Sequence, residues 1–376
     1  MKFLSLLTLL MSTFTLFANS TTGIDNSLKL ETLAVMDKAE KFILSQQNEN
    51  GSWGMYGGIP AYTALASTAL KMSPHGSKYQ IQADKAAEYL LKFVNPDGSI
   101  HDNSEHAYPN YTTSCTLIAL YYIDKTKYAN IIRKGRRFLE GSQFSKDAGI
   151  EAGGIGYGST KTKSDLSNTQ YALEALYITS DVDSDAISPA EAAKNKQVWA
   201  NAMAFVERCQ SSEATDKKLG FEHKKENKGG FRYSPDRSKV DGEDKAPYGA
   251  MTYAGIKSMI YAKLSKDDPR IKAALTWVAS RYTLDEHPGM KLQGHHYYLH
   301  TFAKALHVAE INTLKDSAGK EHFWRADLAK KMISVQQAYG SWFNTEGRWQ
   351  ENDKTLVTSY GLMGLSYALA LENDTK

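Results

Sequence analysis

Cysteine is scarce in this 376-residue chain, which contains only Cys115 and Cys209. No Cys-x-x-Cys pair occurs, so the sequence offers no thiolate pattern for a structural zinc site. Whether the two residues form a disulfide stays open, because both belong to apolar helical patterns. An excess of one charge is also absent, since 45 Lys and Arg face 42 Asp and Glu. The basic residues form no stripe with stacking aromatics, so nucleic acid is not an expected partner.

Long apolar runs are absent after the first 20 residues. Residues 1–20 contain Lys2, an apolar stretch that ends at Phe17, and small residues at positions 18 and 20. This pattern is typical of a secretory signal peptide that is cleaved on export. No later segment reaches the length of a transmembrane helix. We therefore expect a signal peptide at 1–20 and one exported domain at 21–376, periplasmic or secreted, without an integral membrane segment.

Six copies of one pattern follow one another along the chain. Each copy begins with an amphipathic helix, continues through a Gly-rich turn and ends with a second, more apolar helix. The first helices are predicted at 39–47, 86–93, 135–143, 202–210, 274–282 and 326–337. In the fifth copy the turn has only HPGM, at 287–290. Such repetition predicts that neighbouring copies stack and bury a shared core.

The second helices share one register in five of the six copies. A Thr is followed after three and six residues by small residues, starting from Thr63, Thr113, Thr169, Thr252 and Thr358. Small residues three apart form a flat face, which lets neighbouring helices approach closely. Six such helix pairs can bury all their apolar faces by closing into a ring. The sequence therefore predicts an all-α fold, an α/α toroid of six two-helix repeats with the second helices inside.

Two short stretches carry a resemblance to a known family. Residues 46–54 (QQNENGSWG) and 336–343 (QQAYGSWF) are similar to the Gln-Trp repeats of squalene-hopene cyclases. The two-helix copies resemble the prenyltransferase and squalene-oxidase repeat. The stretch 295–310, together with 324–336, also resembles exported bacterial prenyltransferase-like proteins of unassigned function. The chain thus resembles the terpenoid cyclase and protein prenyltransferase superfamily over nearly all of its mature length. The resemblance implies that Gln47 with Trp53, and Gln337 with Trp342, tie an outer helix to a neighbouring turn.

The cyclase motif of that superfamily is present only in part. The cyclases protonate their substrate with the middle Asp of an Asp-x-Asp-Asp-Thr motif, and the comparable stretch here runs from Asp165 to Thr169. Ser167 and Asn168 replace the second and third acids. A Ser hydroxyl is too weak an acid to protonate an alkene, so we expect no squalene cyclisation of the usual kind. These polar residues also suit the N-cap and first turn of a helix.

The prenyltransferase motif is likewise incomplete. Protein prenyltransferases hold zinc with Asp, Cys and His, and His300 lies in a Tyr-Leu-His-Thr stretch that resembles the surroundings of their zinc histidine. No Asp-x-Cys occurs anywhere in the chain, and one ligand of three does not bind zinc usefully. His296 is spaced to share a metal ion with His300, but no Glu accompanies the pair. We therefore expect no metal and no cofactor.

One face of the second helices is expected to line the hollow of the ring. In copies two to five it carries polar and charged residues, namely Tyr111, Ser167, Gln170, Glu174, Tyr253, Lys257, Tyr297, His300 and Lys304. Two interpretations stay open. In the first, Glu174 pairs with Lys257 or Lys304 and plugs the ring, because buried charges are kept only when paired. In the second, the lysines bind an anionic or sugar-like ligand together with His300 and the tyrosines.

The leading functional hypothesis is an exported toroid, similar to squalene cyclases and prenyltransferases, that binds a small-molecule ligand in its central cavity. The candidate catalytic residues are Asp165, His300 and Tyr253. The candidate ligand-binding residues are Tyr111, Ser167, Asn168, Gln170, Glu174, Lys257, Tyr297 and Lys304. Two alternatives remain. One is a carbohydrate-active toroid, because helical toroids also host lyases that use Tyr and His as base and acid. The other is a binding or scaffold protein without catalysis, so the sequence leaves open whether the chain is an enzyme.

Overall fold

A computed structural model describes residues 22–55, 58–103, 107–158, 163–183 and 188–370. The predicted signal peptide lies outside these residues. The described part contains thirteen α-helices: α1 Asn26–Ser45, α2 Pro60–Met72, α3 Gln80–Leu91, α4 Pro109–Asp124, α5 Ala129–Gly141, α6 Leu166–Ile178, α7 Pro189–Cys209, α8 Glu213–Lys218, α9 Gly249–Tyr261, α10 Pro269–Ala279, α11 His295–Val308, α12 Trp324–Val335 and α13 Lys354–Leu369. Two short strands, β1 Leu314–Lys315 and β2 Glu321–His322, pair antiparallel.

The helices form two concentric rings. The inner ring consists of α2, α4, α6, α9, α11 and α13, each packed against the next, and it closes because α13 packs against α2. The outer ring consists of α1, α3, α5, α7, α10 and α12, and the contact between α1 and α12 spans its junction. Short helix α8 lies in the long connection between α7 and α9, outside both rings. The predicted all-α toroid of six two-helix repeats is confirmed.

The recurring threonines of the inner helices hold the Gly-rich turns in place. The hydroxyl oxygens of Thr63, Thr113, Thr169, Thr252 and Thr358 each accept a hydrogen bond of 2.8–3.1 Å from a backbone N–H in the turn before the same helix. All five side chains are fully buried. Because a buried backbone donor without a partner is costly, the same residue recurs wherever this turn is repeated.

The Gln-Trp pairs tie neighbouring repeats together, but one of them is displaced by a residue. The side-chain nitrogen of Gln47 donates to the carbonyls of Gly51 and Gln82, as expected. At the other end it is Gln336, not Gln337, that donates to the carbonyls of Gly340 and Val35. The prediction for Gln337 is wrong because the backbone turns extended directly after α12, whereas the residue after α1 stays helical.

The two tryptophans of these pairs are structural. Trp53 and Trp342 are fully buried, and their indole nitrogens donate to the carbonyls of Ile43 and Met332 at 2.7 and 2.9 Å. Each acceptor carbonyl belongs to the outer helix of the same repeat. The predicted role of both indoles in the outer turns, rather than in the central cavity, is confirmed.

One glycine in each such turn permits close contact with the next outer helix. Gly340 has φ +89°, and a Cβ there would lie 2.4 Å from the carbonyl oxygen of Lys38 on α1. Gly51 has φ +87° and stands in the same relation to Lys85 on α3, at 2.3 Å. Both the backbone conformation and the missing Cβ are therefore required at these positions.

The cysteines do not pair, since Cys115 and Cys209 are both buried free thiols. Among the described residues, no helix has the length and apolar character needed to cross a membrane.

Candidate functional site

A cavity of about 650 Å³ lies where the N-terminal ends of the inner helices converge. Its wall is mainly aromatic, with nine tyrosines: Tyr62, Tyr108, Tyr111, Tyr157, Tyr171, Tyr233, Tyr248, Tyr297 and Tyr360. Apolar positions are added by Ile59, Ala61, Met251 and Leu356, and Trp349 lies on the same wall. Every inner helix contributes to this wall, so the cavity exists only because the ring is closed.

The tyrosines support one another through ring contacts. The rings of Tyr111 and Tyr171 meet edge to face at 5.0 Å between centroids, and Tyr297 packs against Tyr171 at 6.4 Å and Tyr360 at 6.0 Å. Burial raises the pKa of Tyr111 and Tyr171 well above the ordinary value, so their hydroxyls stay protonated. These tyrosines therefore form a neutral aromatic surface that carries hydroxyl groups.

The segment compared with the cyclase motif begins α6 at the cavity wall. Ser167 and Asn168 line the cavity, whereas Asp165 lies behind them, 2% exposed, and caps the helix. The carboxylate of Asp165 accepts from the backbone N–H of Asn168 at 2.7 Å and from its amide group. Burial raises the pKa of Asp165 to about 6, and the hydroxyl of Tyr233, on the wall, hydrogen-bonds to it. This segment is thus both a helix cap and the support of a partly protonated acid.

Tyr297, a predicted ligand-binding residue on α11, contacts the side chains of α6 across the cavity. Its hydroxyl lies 3.3 Å from the hydroxyl of Ser167, and it accepts from the side-chain nitrogen of Gln170 at 3.4 Å. Gln170 is buried, and its side-chain oxygen has no hydrogen-bond partner among the described residues. Tyr111 also lines the cavity. The structure therefore brings Tyr111, Ser167, Asn168 and Tyr297 to one wall.

Glu174, Lys257 and Lys304 form a charged cluster two turns farther along the inner helices. The ammonium of Lys257 lies 2.5 Å from one carboxylate oxygen of Glu174, and that of Lys304 contacts the other. All three side chains are at most 4% exposed. Burial lowers the pKa of both lysines to about 7. This geometry matches the interpretation in which Glu174 plugs the ring, with both lysines engaged rather than one.

Like Asp165, the other two candidate catalytic residues do not line the cavity. Tyr253 packs against Tyr298 and Phe302, 1% exposed, so its predicted orientation towards the hollow is wrong. Successive side chains of an α-helix point in different directions around its axis, and Tyr253 points to the side of α9 that packs against α11. His300 is buried below the wall and stacks on Tyr360 at 5.5 Å. Burial lowers the pKa of His300 to about 3, so its imidazole is neutral.

Glu351 is a carboxylate on the cavity wall that the sequence did not reveal. It is 1% exposed and accepts from the backbone N–H groups of His296 and Tyr297, at 3.2 and 2.7 Å, at the start of α11. Asn344 donates to it at 2.8 Å. Burial raises the pKa of Glu351. It lies in the loop before α13, where no periodic pattern marks it; its neighbour Trp349, also on the wall, has φ +59°.

Comparison with known proteins bears on the fold. No protein-family model matches the sequence, and no curated protein matches it. A variant of type II terpene cyclase MstE from Scytonema, in complex with merosterolic acid A, is similar with TM-score 0.59 and 13% identity, covering 92% of this chain and 99% of that chain. Candida albicans protein geranylgeranyltransferase-I complexed with GGPP is similar with TM-score 0.50 and 16% identity, over 88% and 90% of the two chains. The chain has a terpenoid cyclase/prenyltransferase-like fold. A glycosidase in complex with glucose is also similar, with TM-score 0.51 and 10% identity, over 92% of this chain and 98% of that one.

Proposed function

We propose that this protein is exported and binds an isoprenoid chain in its central cavity. The observation that carries the proposal is the aromatic wall of nine tyrosines around about 650 Å³ of space. That volume lies within the range of cavities that enclose small organic ligands. Solved structures with this fold hold molecules that contain such a chain: geranylgeranyl dihydroxybenzoate in a variant of MstE and GGPP in the geranylgeranyltransferase.

The charges around the cavity favour an apolar ligand over an anionic one. Lys257 and Lys304, the candidate anion ligands, are both held by Glu174 and do not line the cavity. Among the described residues of the wall the one carboxylate is Glu351, and it accepts hydrogen bonds from the start of α11. The rest of the described wall is mainly aromatic and aliphatic surface, with tyrosine hydroxyls, the amides of Asn168 and Gln350 and the imidazole of His287 as neutral polar groups. Aromatic faces favour apolar chains and also stabilise positive charge that develops on them.

Cyclisation of the usual kind is not part of this proposal, because Ser167 stands where the proton donor would be. Purified protein incubated with squalene should leave it unchanged. If hopene-like polycycles formed, Asp165 would be the acid to test, since its pKa of about 6 keeps a proton available near neutral pH. Loss of product in Asp165→Asn would then assign the proton donor to that residue.

Blocking the cavity tests the proposal directly. Ala61 lies on the cavity wall near the start of α2, so Ala61→Phe places a ring in the space of the ligand. Ala192, exposed on α7, gives the matched control Ala192→Phe. With geranylgeraniol as the probe and quenching of intrinsic fluorescence as the readout, we expect at least about tenfold weaker binding for Ala61→Phe only.

Mass spectrometry of molecules that copurify with the protein separates the alternatives. An isoprenoid bound to the wild type and absent from Ala61→Phe supports the proposal. Recovery of oligosaccharides instead would favour the carbohydrate-active alternative. If no ligand copurifies, and if Ala61→Phe binds geranylgeraniol no more weakly than Ala192→Phe, isoprenoid binding in the cavity is refuted. A scaffold protein would then be favoured.

A further inference from the structure

A second cluster of side chains that can bind a metal ion lies on outer helix α1 and in the turn after α2. Asp37 and Glu40 are three residues apart on α1, and His75 follows α2. Each offers one ligand atom, and these atoms lie within 4.8 Å of one another. Among the described residues this is the one group of three or more such side chains close enough to hold a metal ion.

Glu40 shows why this group is more than a surface cluster of acids. Its side chain is fully buried, and one oxygen accepts from the hydroxyl of Tyr79 at 2.5 Å and lies 2.9 Å from Nδ1 of His75. The other oxygen, Oε1, is buried and has no hydrogen-bond partner among the described residues. Among the residues that the structure describes, no Lys or Arg forms an ion pair with Glu40. A buried carboxylate oxygen without a partner is costly, so a cation bound beside it would be stabilising.

We propose that Asp37, Glu40 and His75 bind a divalent transition-metal ion such as Zn²⁺. One imidazole and two carboxylates form a donor set that zinc uses, with a water as the fourth ligand. A tetrahedral zinc site needs ligand atoms roughly 3–3.5 Å apart, so the group must contract slightly. The side chains of Asp37 and His75 are 39% and 33% exposed, which leaves them free to do so.

The surrounding contacts are compatible with metal binding. Lys41 contacts Asp37 at 2.7 Å, but this is an exposed pair that a metal ion readily replaces. The hydroxyl of Tyr79 orients the carboxylate of Glu40 in the manner of an outer ligand partner. Because α1 packs against α12 and α13 where the ring closes, a metal ion here would link this junction to the turn between α2 and α3.

Zinc titration of the metal-stripped full-length protein, followed by calorimetry and thermal unfolding, tests the proposal. We expect one saturable site and a rise in Tm of at least about 3 °C in excess Zn²⁺. Asp37→Asn and His75→Gln should each weaken binding by roughly 10–100-fold. Co²⁺ should give visible absorption bands in the wild type that both variants lose, whereas Ca²⁺, which prefers oxygen ligands only, should bind much more weakly.

The matched control is His322→Gln. His322 also contacts two carboxylates, Asp316 and Asp327, but through opposite ring nitrogens, so the three cannot share one ion. This variant should bind Zn²⁺ like the wild type. If the wild type shows no saturable binding, or if Asp37→Asn and His75→Gln bind as well as His322→Gln, the group is a hydrogen-bonded cluster only and the proposal is wrong.

Discussion

Replacing single members of the Glu174 cluster should have opposite effects on stability. The cluster contains two ammonium groups and one carboxylate, and no other acid in the described part of the chain forms an ion pair with either lysine. Glu174→Gln leaves two buried charges without a partner and should destabilise the fold by about 3–5 kcal/mol. Lys304→Met leaves one matched pair with Lys257, so it should be neutral or stabilising by about 1–4 kcal/mol.

The pH dependence of stability follows from the same excess of charge. Burial lowers the pKa of Lys257 and Lys304 to about 7, against about 10.4 in an unfolded chain. Between these two values the unfolded chain binds more protons, so the free energy of unfolding rises with pH. Below pH 7, keeping the lysine without a partner protonated therefore lowers the free energy of unfolding by roughly 4–5 kcal/mol. This loss disappears by about pH 10. Lys304→Met removes that excess and should flatten this rise.

Urea unfolding at pH 6, 7.5 and 9 measures both effects. The double variant Lys257→Met with Lys304→Met serves as the control, because it strands Glu174 and should be less stable than either single lysine variant. Equal destabilisation by Glu174→Gln and Lys304→Met, with an unchanged dependence on pH, would show that neither lysine is in excess. The charge argument would then fail.

Three further predictions concern the repeats and the acid at α6. Gln336→Ala should cost about 1–2 kcal/mol in urea unfolding because two hydrogen bonds to backbone carbonyls are lost, whereas a similar loss for Gln337→Ala would contradict the displaced pair. Gly340→Ala should lower stability by about 1–3 kcal/mol, since its Cβ would meet the carbonyl of Lys38; an unchanged Tm would refute the contact. Asp165 has a folded pKa of about 6, above its unfolded value of about 3.9, so it lowers stability as pH rises between these values. Relative to wild type, Asp165→Asn should therefore gain stability from pH 4 to pH 7, and a constant difference would contradict the raised pKa.

The repeated architecture could be predicted because each repeat meets the same local demand. Thr169 and Thr358 recur at one register because each satisfies a buried N–H in its turn. Trp53 and Trp342 recur because each indole closes an outer helix end. These hydrogen bonds join residues about ten to sixteen positions apart within one copy. Because each copy repeats them, they leave a period in the sequence. The predicted ring follows from this period and from the need of each apolar face for a neighbour.

The candidate site was predicted only where helix phase alone determines the orientation of a side chain. Ser167, Asn168 and Tyr297 reach the cavity wall, and the predicted contact of Glu174 with a lysine is present. Tyr253 was assigned to the wrong face, because the rotation of an inner helix about its own axis depends on the packing of its neighbours.

The amino-acid sequence by itself determined the six repeats and the all-α toroid. Only the tertiary structure decided which groups meet. It brought Glu351 from the loop before α13 to the start of α11, and it set His75 beside Glu40, 35 residues away. The physical reason is that repeat periodicity reports only contacts that recur from copy to copy. Contacts made once, across the closed ring or between a loop and a distant helix, depend on the final packing and leave no period in the sequence.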